Sequence, residues 1–224
     1  MKHVLDNPIF NALASGNQTL SKGSGPVKYF DKDVAPFIGF SEDSRENFDA
    51  TYDMISRQNP LVFVSRDRMI PQSRWNIVQQ IPGWQMVYTG DMFDVDASNL
   101  VALTGAHVPQ MIELTKLTNP GPFGLHTIDF GHYYGIFEGD KLVAMAGQRL
   151  NPLPYSEISA VCTHPDHSGK GYARQLMQFH VNRIKQAGEI PFLHVRDDNT
   201  RAIKVYKDLG FEIFGEVNFY ILAK

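Results

Sequence analysis

Cysteine is almost missing from this chain. Its 224 residues include one, Cys162, so no internal disulfide can staple the fold and no thiolate cluster can hold zinc. An excess of charge is missing too: 21 Lys and Arg against 24 Asp and Glu leave a net of −3. Broad binding to nucleic acid or an anionic membrane needs a basic surplus that is not there. The longest apolar runs, such as Leu142 to Gly147, fall far short of a bilayer span. Near the start, Asp6 and Pro8 interrupt what would be the apolar core of a secretion signal. Low-complexity tracts and repeats of about 20 to 50 residues are also absent, which excludes solenoids and propellers. The expectation is a soluble, cytoplasmic protein that engages neither nucleic acid nor membrane.

The composition that remains, 43% apolar and 20% charged, suffices for one large domain or two small ones. Residues 1–95 read as an α/β region without a recognisable motif. Within it the spacing of Phe48, Tyr52 and Ile55 predicts a helix over Ser41 to Ser56, and Leu61 to Val64 a short buried strand. Ser73 to Ile81 reads as a second helix and Trp84 to Thr89 as a strand. The polar stretch Gly90 to Asn99 is the expected boundary. From residue 96 to 224 the signals sharpen. Met111, Ile112, Leu114 and Leu117 mark an amphipathic helix stopped by Asn119-Pro120-Gly121-Pro122. Tyr133 to Glu138 and Leu142 to Arg149 form a hairpin about Gly139-Asp140. Glu157 to Thr163 alternates with period two, and Gly171 to Ala187 is a helix ended by Gly188. Phe192 to Val195 is a strand. Asn199 can cap a helix with an apolar stripe of Ala202, Val205, Tyr206 and Leu209 that stops at Gly210. Phe211 to Phe214 and Val217 to Leu222 read as paired strands. The order implies a mixed α/β sheet with a parallel crossover pair in its middle.

The most informative stretch is His164-Pro165-Asp166-His167-Ser168-Gly169-Lys170-Gly171-Tyr172-Ala173, between a strand and a helix. Gly169 and Gly171 let backbone N–H groups turn toward one point, and the helix start adds free donors and a positive dipole end, so an anion is favoured there. A ligand-free glycine-rich connection is the other reading. A Walker A loop is excluded, because His164 stands where its first glycine belongs and Gly171 where its Ser or Thr belongs. A dinucleotide fingerprint is excluded by Arg174 at its third glycine.

Ser168-Gly169-Lys170-Gly171-Tyr172-Ala173 resembles the pyrophosphate loop of the GNAT N-acetyltransferases, in which Gln or Arg is followed after two residues by Gly and after one more by Gly or Ala. Gly171 and Ala173 match the small positions; Ser168 departs from the usual Gln or Arg. Downstream, Asn199, Ala202, Tyr206 and Gly210-Phe211 are similar to that family's second signature, and residues from about 98 to 224 fit. Glu157 to Pro165 further resembles the glycine-N-acyltransferase-like branch, in which the N-terminal half resembles a degenerate copy of the core fold.

The resemblance implies a GNAT fold with acetyl-CoA, or another short acyl-CoA, wedged between splayed parallel strands at residues 157–163 and 192–195. Backbone groups of Val161, Cys162 and Thr163 would pair with the pantetheine arm. The pyrophosphate would sit over Ser168, Gly169, Lys170, Gly171, Tyr172 and Ala173, and Asn199 would touch the cofactor. Tyr206 would protonate the departing thiolate; otherwise it is an aromatic on a helix stripe. Glu157 matches the position of the general base in the histone-acetyltransferase branch, with a pKa raised by partial burial. A strand-edge carboxylate, with a water chain as base, is the alternative. The acceptor would be an amine of a small molecule or peptide, attacked directly in a ternary complex. A non-catalytic acyl-CoA-binding regulator is the second reading, and an interaction module that keeps only the fold the third.

No metal is expected: His164, His167 and His194 lack partners at ligand spacing, and solvated loop histidines are the better reading. Cys162 alternates with Ile158 and Ala160 and reads as a small core residue. Trp75 and Trp84 read as core, and the corner from Asn119 to Gly124 as a loop or an acceptor-side wall. The sequence gives no acceptor identity and no oligomeric state.

Overall fold

A computed structural model describes residues 3–55 and 60–224. The first half holds β1 (Ser21–Ser24), β2 (Val27–Phe30), β3 (Phe37–Phe40), β4 (Leu61–Ser65) and β5 (Asn76–Tyr88), with α1 (Pro8–Leu13) and α2 (Arg45–Met54). The second half holds β6 (Val101–Ala102), α3 (Val108–Thr118), β7 (Tyr134–Glu138), β8 (Lys141–Gln148), β9 (Tyr155–Thr163), α4 (Tyr172–Gln186), β10 (Ile190–Arg196), α5 (Thr200–Leu209) and β11 (Phe211–Ala223). The strands form one sheet in the order β1-β2-β3-β4-β11-β5-β10-β9-β8-β7-β6. Two neighbouring pairs, β3 with β4 and β10 with β9, run parallel. Each is joined through a helix, as a parallel crossover requires.

Local chemistry places the helices. Ser44 caps α2 by accepting from the Asn47 N–H at 3.3 Å, and Asn199 caps α5 by accepting from the Ala202 N–H at 3.1 Å. Asn119 and Gly210 end α3 and α5 in the left-handed conformation. Alternation along the strands sorts the core. On β4, Val62 and Val64 join the apolar layer beneath α1 and α3, whereas Leu61 and Phe63 pack with Phe48 of α2. On β10, Phe192 faces the α1/α3 layer, and Leu193 and Val195 face α4 and α5. Trp75 is buried and donates from its indole to the Phe48 carbonyl at 2.9 Å, whereas Trp84 is half-buried. Among the described residues no helix is long and apolar enough to cross a membrane.

Three expectations differ from the structure. The helix expected over Ser41 to Ser56 runs from Arg45 to Met54, and Ser56 lies outside the described residues. Ser73 to Ile81 is not helical: from Asn76 it is the first part of the 13-residue β5. Its apolar spacing mimics a helix, but Ile77, Val78 and Ile81 are β-branched, and β11 pairs along its whole length. Phe211 to Phe214 and Val217 to Leu222 are not paired with each other; both belong to β11 and both pair with β5, with a register shift between Ile213 and Gly215. Gly215 reads as a turn in the sequence, yet it makes room for Arg66, whose guanidinium a Cβ there would strike.

One close approach positions a residue used below. Gly147 of β8 lies under the ring of buried Tyr133, which a Cβ would strike. Gly147→Val should therefore lower stability by about 1–3 kcal/mol through overpacking, read as a shift of the urea midpoint. An unchanged midpoint would mean the Tyr133 ring is free to move.

Candidate active site

The site begins where two strands part. β9 and β10 pair over Tyr155–Glu157 and Ile190–Phe192 only. Beyond that point β10 stays with β5 as far as Arg196, and β9 stays with β8 as far as Thr163. A bulge drives the parting: Gly147 pairs with Ser159 and Met145 with Cys162, so Ala160 and Val161 together oppose Ala146. Ala160 takes φ 52° to do so. The inner edges of both strands are left without a ladder partner, and a cavity of about 310 Å³ occupies the gap. Its lining includes Val161, Val195, Asn199 and Tyr206 from the α5 side and Phe37, Arg149, Phe219 and Ile221 from the other.

The loop after β9 carries Ser168, Gly169, Lys170 and Gly171 into α4. Both glycines have φ 83°, a left-handed value that disfavours side chains. A Cβ on either would meet nothing within 4 Å, so the space above the loop is open. No side chain caps α4, which leaves the N–H groups of Tyr172, Ala173 and Arg174 unspent at the positive end of a 15-residue helix. Lys170 Nζ donates to Glu138 at 3.2 Å, and the Tyr172 hydroxyl donates to the same carboxylate.

Val161, Cys162 and Thr163 form the open edge of β9. Cys162 is buried, and burial pushes its thiol up to about 12, so it is no ready nucleophile at neutral pH. Asn199 spends its side-chain oxygen on the α5 cap and lies in the lining of the cavity. Burial pushes the Tyr206 phenol up to about 12, so near pH 7 it keeps the proton a general acid needs.

Glu157 corrects an expectation. Its carboxylate is fully buried, and burial alone would raise the pKa. Arg149 and His194 outweigh that and hold it well below the usual carboxylate range. Arg149 donates twice, Nη2 to Oε1 at 2.6 Å and Nε to Oε2 at 3.0 Å. The Leu150 N–H reaches Oε2 at 3.1 Å, and His194 Nδ1 lies 2.8 Å from Oε1. Gln85 Nε2 donates to the Leu5 carbonyl at 3.0 Å and meets His194 Nε2 at 3.0 Å. That orientation of the amide makes Nε2 the acceptor and puts the imidazole proton on Nδ1, toward Glu157. His194 is thus no solvated loop histidine: it lies on β10 with its side chain 2% exposed. His164 and His167 stay on the loop after β9. Among the described residues no group of three or more His, Cys, Asp or Glu side chains is arranged to hold a metal.

Arg149, Gln85 and Tyr133 escaped the sequence reading, whereas the corner from Asn119 to Gly124, read as a loop or an acceptor-side wall, brings Asn119 to Pro122 into the cavity lining. The one signal for Arg149 was a charge at the end of an otherwise apolar strand. Its partner, eight residues on, is reached only across the β8–β9 connection.

Removing the buried carboxylate leaves a buried guanidinium unpaired. Glu157→Gln is expected to lower stability at pH 7 by about 3–5 kcal/mol in urea denaturation. Because the folded pKa lies below the unfolded value of 4.5, the ionic contribution is complete above that pH and fades as pH falls through the folded pKa. The gap between wild type and variant should therefore narrow in acid; a constant gap would show that packing, not charge, holds Glu157.

With the geometry laid out, the relatives follow. A family model described as FR47-like protein matches residues 133–220. Among curated proteins the chain is 32% identical over 88 residues to the N-alpha-acetyltransferase RimI of Mycobacterium tuberculosis, covering 38% of this chain and 54% of that protein. It is 34% identical over 77 residues to the mycothiol acetyltransferase of Saccharomonospora viridis, covering 34% of this chain and 25% of that protein. The chain thus spans about half or less of the length of these curated relatives. A crystal structure of a GNAT-family protein from Novosphingobium aromaticivorans superposes with a TM-score of 0.92 at 29% identity, over 100% of this chain and 99% of that one. These matches do not single out the glycine-N-acyltransferase-like branch. With splayed strands, an uncapped glycine-rich helix start and a full-length structural match, the chain has the GNAT fold and belongs to the GNAT superfamily.

Proposed function

We propose that this protein transfers an acetyl or other short acyl group from CoA to an amine, with both reactants held together in the cleft between β9 and β10. The observation that carries this reading is the open fork itself, with unpaired strand edges on either side of the cavity and the uncapped start of α4 beyond them. Val161, Cys162 and Thr163 would pair with the pantetheine amides as an added strand. Ser168, Gly169, Lys170, Gly171, Tyr172 and Ala173 would hold the pyrophosphate, mainly through backbone N–H groups. Asn199 would donate to the cofactor arm. RimI and mycothiol acetyltransferase are named for acyl transfer, which supports the same chemistry here.

In the reaction the amine nitrogen attacks the thioester carbonyl carbon. The N–C bond forms, the C–S bond breaks, and the nitrogen loses a proton while the sulfur gains one. Tyr206 Oη would supply the sulfur's proton and recover it from solvent. Glu157 is our sequence-derived candidate for the base, but its ion pair favours a positioning role through Arg149 and His194, with the amine proton passing to water in the cleft. Holding both reactants in one cavity replaces an encounter by an intramolecular step. We also propose the division at residue 95: β3–α2–β4 repeats the strand–helix–parallel strand order of β9–α4–β10, as a degenerate half would.

Two variants test the assignment. Gly171→Val strains the φ 83° position and fills the open space above it, so CoA affinity by calorimetry should fall by about 10-fold or more. Equal affinity would reduce the loop to a connector. Tyr206→Phe keeps the ring and should leave CoA binding unchanged while slowing single-turnover acyl transfer by about 10²-fold. A wild-type rate would return Tyr206 to the apolar stripe. CoA binding without release from acetyl-CoA, for any amine in a broad panel, would favour a binding protein over an enzyme.

A further inference from the structure

Two hydrogen-bond donors beside the cleft have no partner among the described residues, and one of them, the Tyr133 hydroxyl, is fully buried. Arg149 spends Nε and Nη2 on Glu157, which leaves Nη1 free. Nη1 faces the bare backbone of Gly121, where a Cβ would lie 3.7 Å away. The Tyr133 hydroxyl is buried without any hydrogen bond. Both side chains line a small cavity of about 10 Å³ together with Gly121, Ser159 and Ala160, room for about one oxygen atom. Arg149, Ser159 and Ala160 also line the large cavity, so the oxygen-sized hollow opens beside the β9 bulge. On the same side of the sheet the large cavity is walled by Phe37, Val62, Ile81, Phe219 and Ile221, an apolar chamber contributed by β3, β4, β5 and β11.

Charge decides which oxygen fits. The guanidinium is already matched by the Glu157 carboxylate at 2.6 Å, and His194 presents its N–H to the same carboxylate. A second carboxylate would bring an uncompensated negative charge into a buried site, whereas a neutral carbonyl oxygen takes both donors without that cost.

We propose that Tyr133 Oη and Arg149 Nη1 bind the neutral carbonyl oxygen next to the acceptor amine. The acceptor is then an α-amino amide whose apolar side chain fills the chamber of Phe37, Val62, Ile81, Phe219 and Ile221. The proposal rests on the transferase reading of this cleft and adds the substrate class and two specificity-determining side chains. The same chemistry is offered by a free amino-acid amide and by the first residue of a peptide.

The test uses the intact protein, acetyl-CoA and four acceptors: leucinamide, the peptide Leu-Gly-Gly, free leucine and isoamylamine, which has the leucine side chain but no carbonyl. Binding of each to the CoA-loaded protein is measured by calorimetry beside the transfer rate. Wild type should favour leucinamide over free leucine and over isoamylamine by about 10-fold each. A Leu-Gly-Gly signal equal to or above that of leucinamide assigns a peptide terminus, and a much weaker one assigns a small amide. Tyr133→Phe removes only the unpartnered hydroxyl. It should raise KM for leucinamide by about 10-fold, leave KM for isoamylamine and acetyl-CoA unchanged, and raise the melting temperature by about 2–4 °C, because a buried donor without a partner is costly. Equal use of leucinamide and isoamylamine, preference for free leucine, or a Tyr133→Phe protein that is less stable with unchanged selectivity would overturn the proposal. Transfer to no acceptor would sink the transferase reading, and the binding preference would still decide the carbonyl site.

Discussion

The parting of β9 from β10 is the constraint on which the rest of the molecule depends. Two parallel strands in a buried sheet ordinarily pair along their length, because unpaired backbone groups in a core are costly. Here pairing stops after Glu157 and Phe192. At that residue the chain places a densely bonded side chain: Glu157 accepts from Arg149, from the Leu150 N–H and from His194 across the fork. The β9 half of the fork is tied to the end of β8 and the β10 half to Gln85 of β5. Just beyond, the Ala160–Val161 bulge turns β9 away. The ionic cluster fixes where the strands stay joined, and the bulge fixes where they separate.

Burying an ion pair is seldom the cheapest way to stabilise a core, since desolvation offsets most of the attraction, and an apolar replacement of equal volume is often as stable. The pair at the fork therefore makes better sense as a device of position than of stability. Its bidentate geometry fixes the guanidinium plane and with it the direction of the remaining N–H groups. It also stabilises the charged form of Glu157, holding the carboxyl well below the usual carboxylate range despite its burial. The charged groups of the fork thus orient their neighbours, and the cavity receives the edge of the Arg149 guanidinium beside the Tyr206 phenol and the open strand edges.

How much of this was legible in the sequence follows from the range of the interactions. The glycine-rich turn into α4, the Asn199 cap, the Gly210 stop and the Gly139-Asp140 hairpin are encoded within a few residues, and each is found where local chemistry puts it. The first part of β5 was not legible, since Ile77, Val78 and Ile81 satisfy a helical spacing as well as a strand, and only pairing with β11 decides. The unity of β11 was hidden by Gly215, which looks like a turn and serves Arg66 from β4's end of the sheet. For the site, the backbone elements were readable and the charge network was not. Glu157 was a candidate base only through its match to the histone-acetyltransferase branch, with a strand-edge carboxylate as the alternative. Its pKa is set by Arg149, by His194 and by burial, and all three depend on how the strands stack.

The region before residue 95 is more than an attachment to the fork. β5 lies between β10 and β11, so the strand that carries His194 is held on its far side by a strand from the first half. Phe37, Val62 and Ile81 then reach the cavity from β3, β4 and β5, opposite Tyr206 and Asn199 on α5. Elements after residue 95 supply the glycine-rich turn, the strand edges and the phenol. The earlier strands, with Phe219 and Ile221 of β11, supply the apolar wall. Sheet continuity makes these two contributions mechanically one: β11 pairs with β4 on one side and with β5 on the other. A change in the first half that shifts β5 would move β10 and the fork with it. The apolar wall of the cavity and the geometry of the fork are therefore coupled through a single strand.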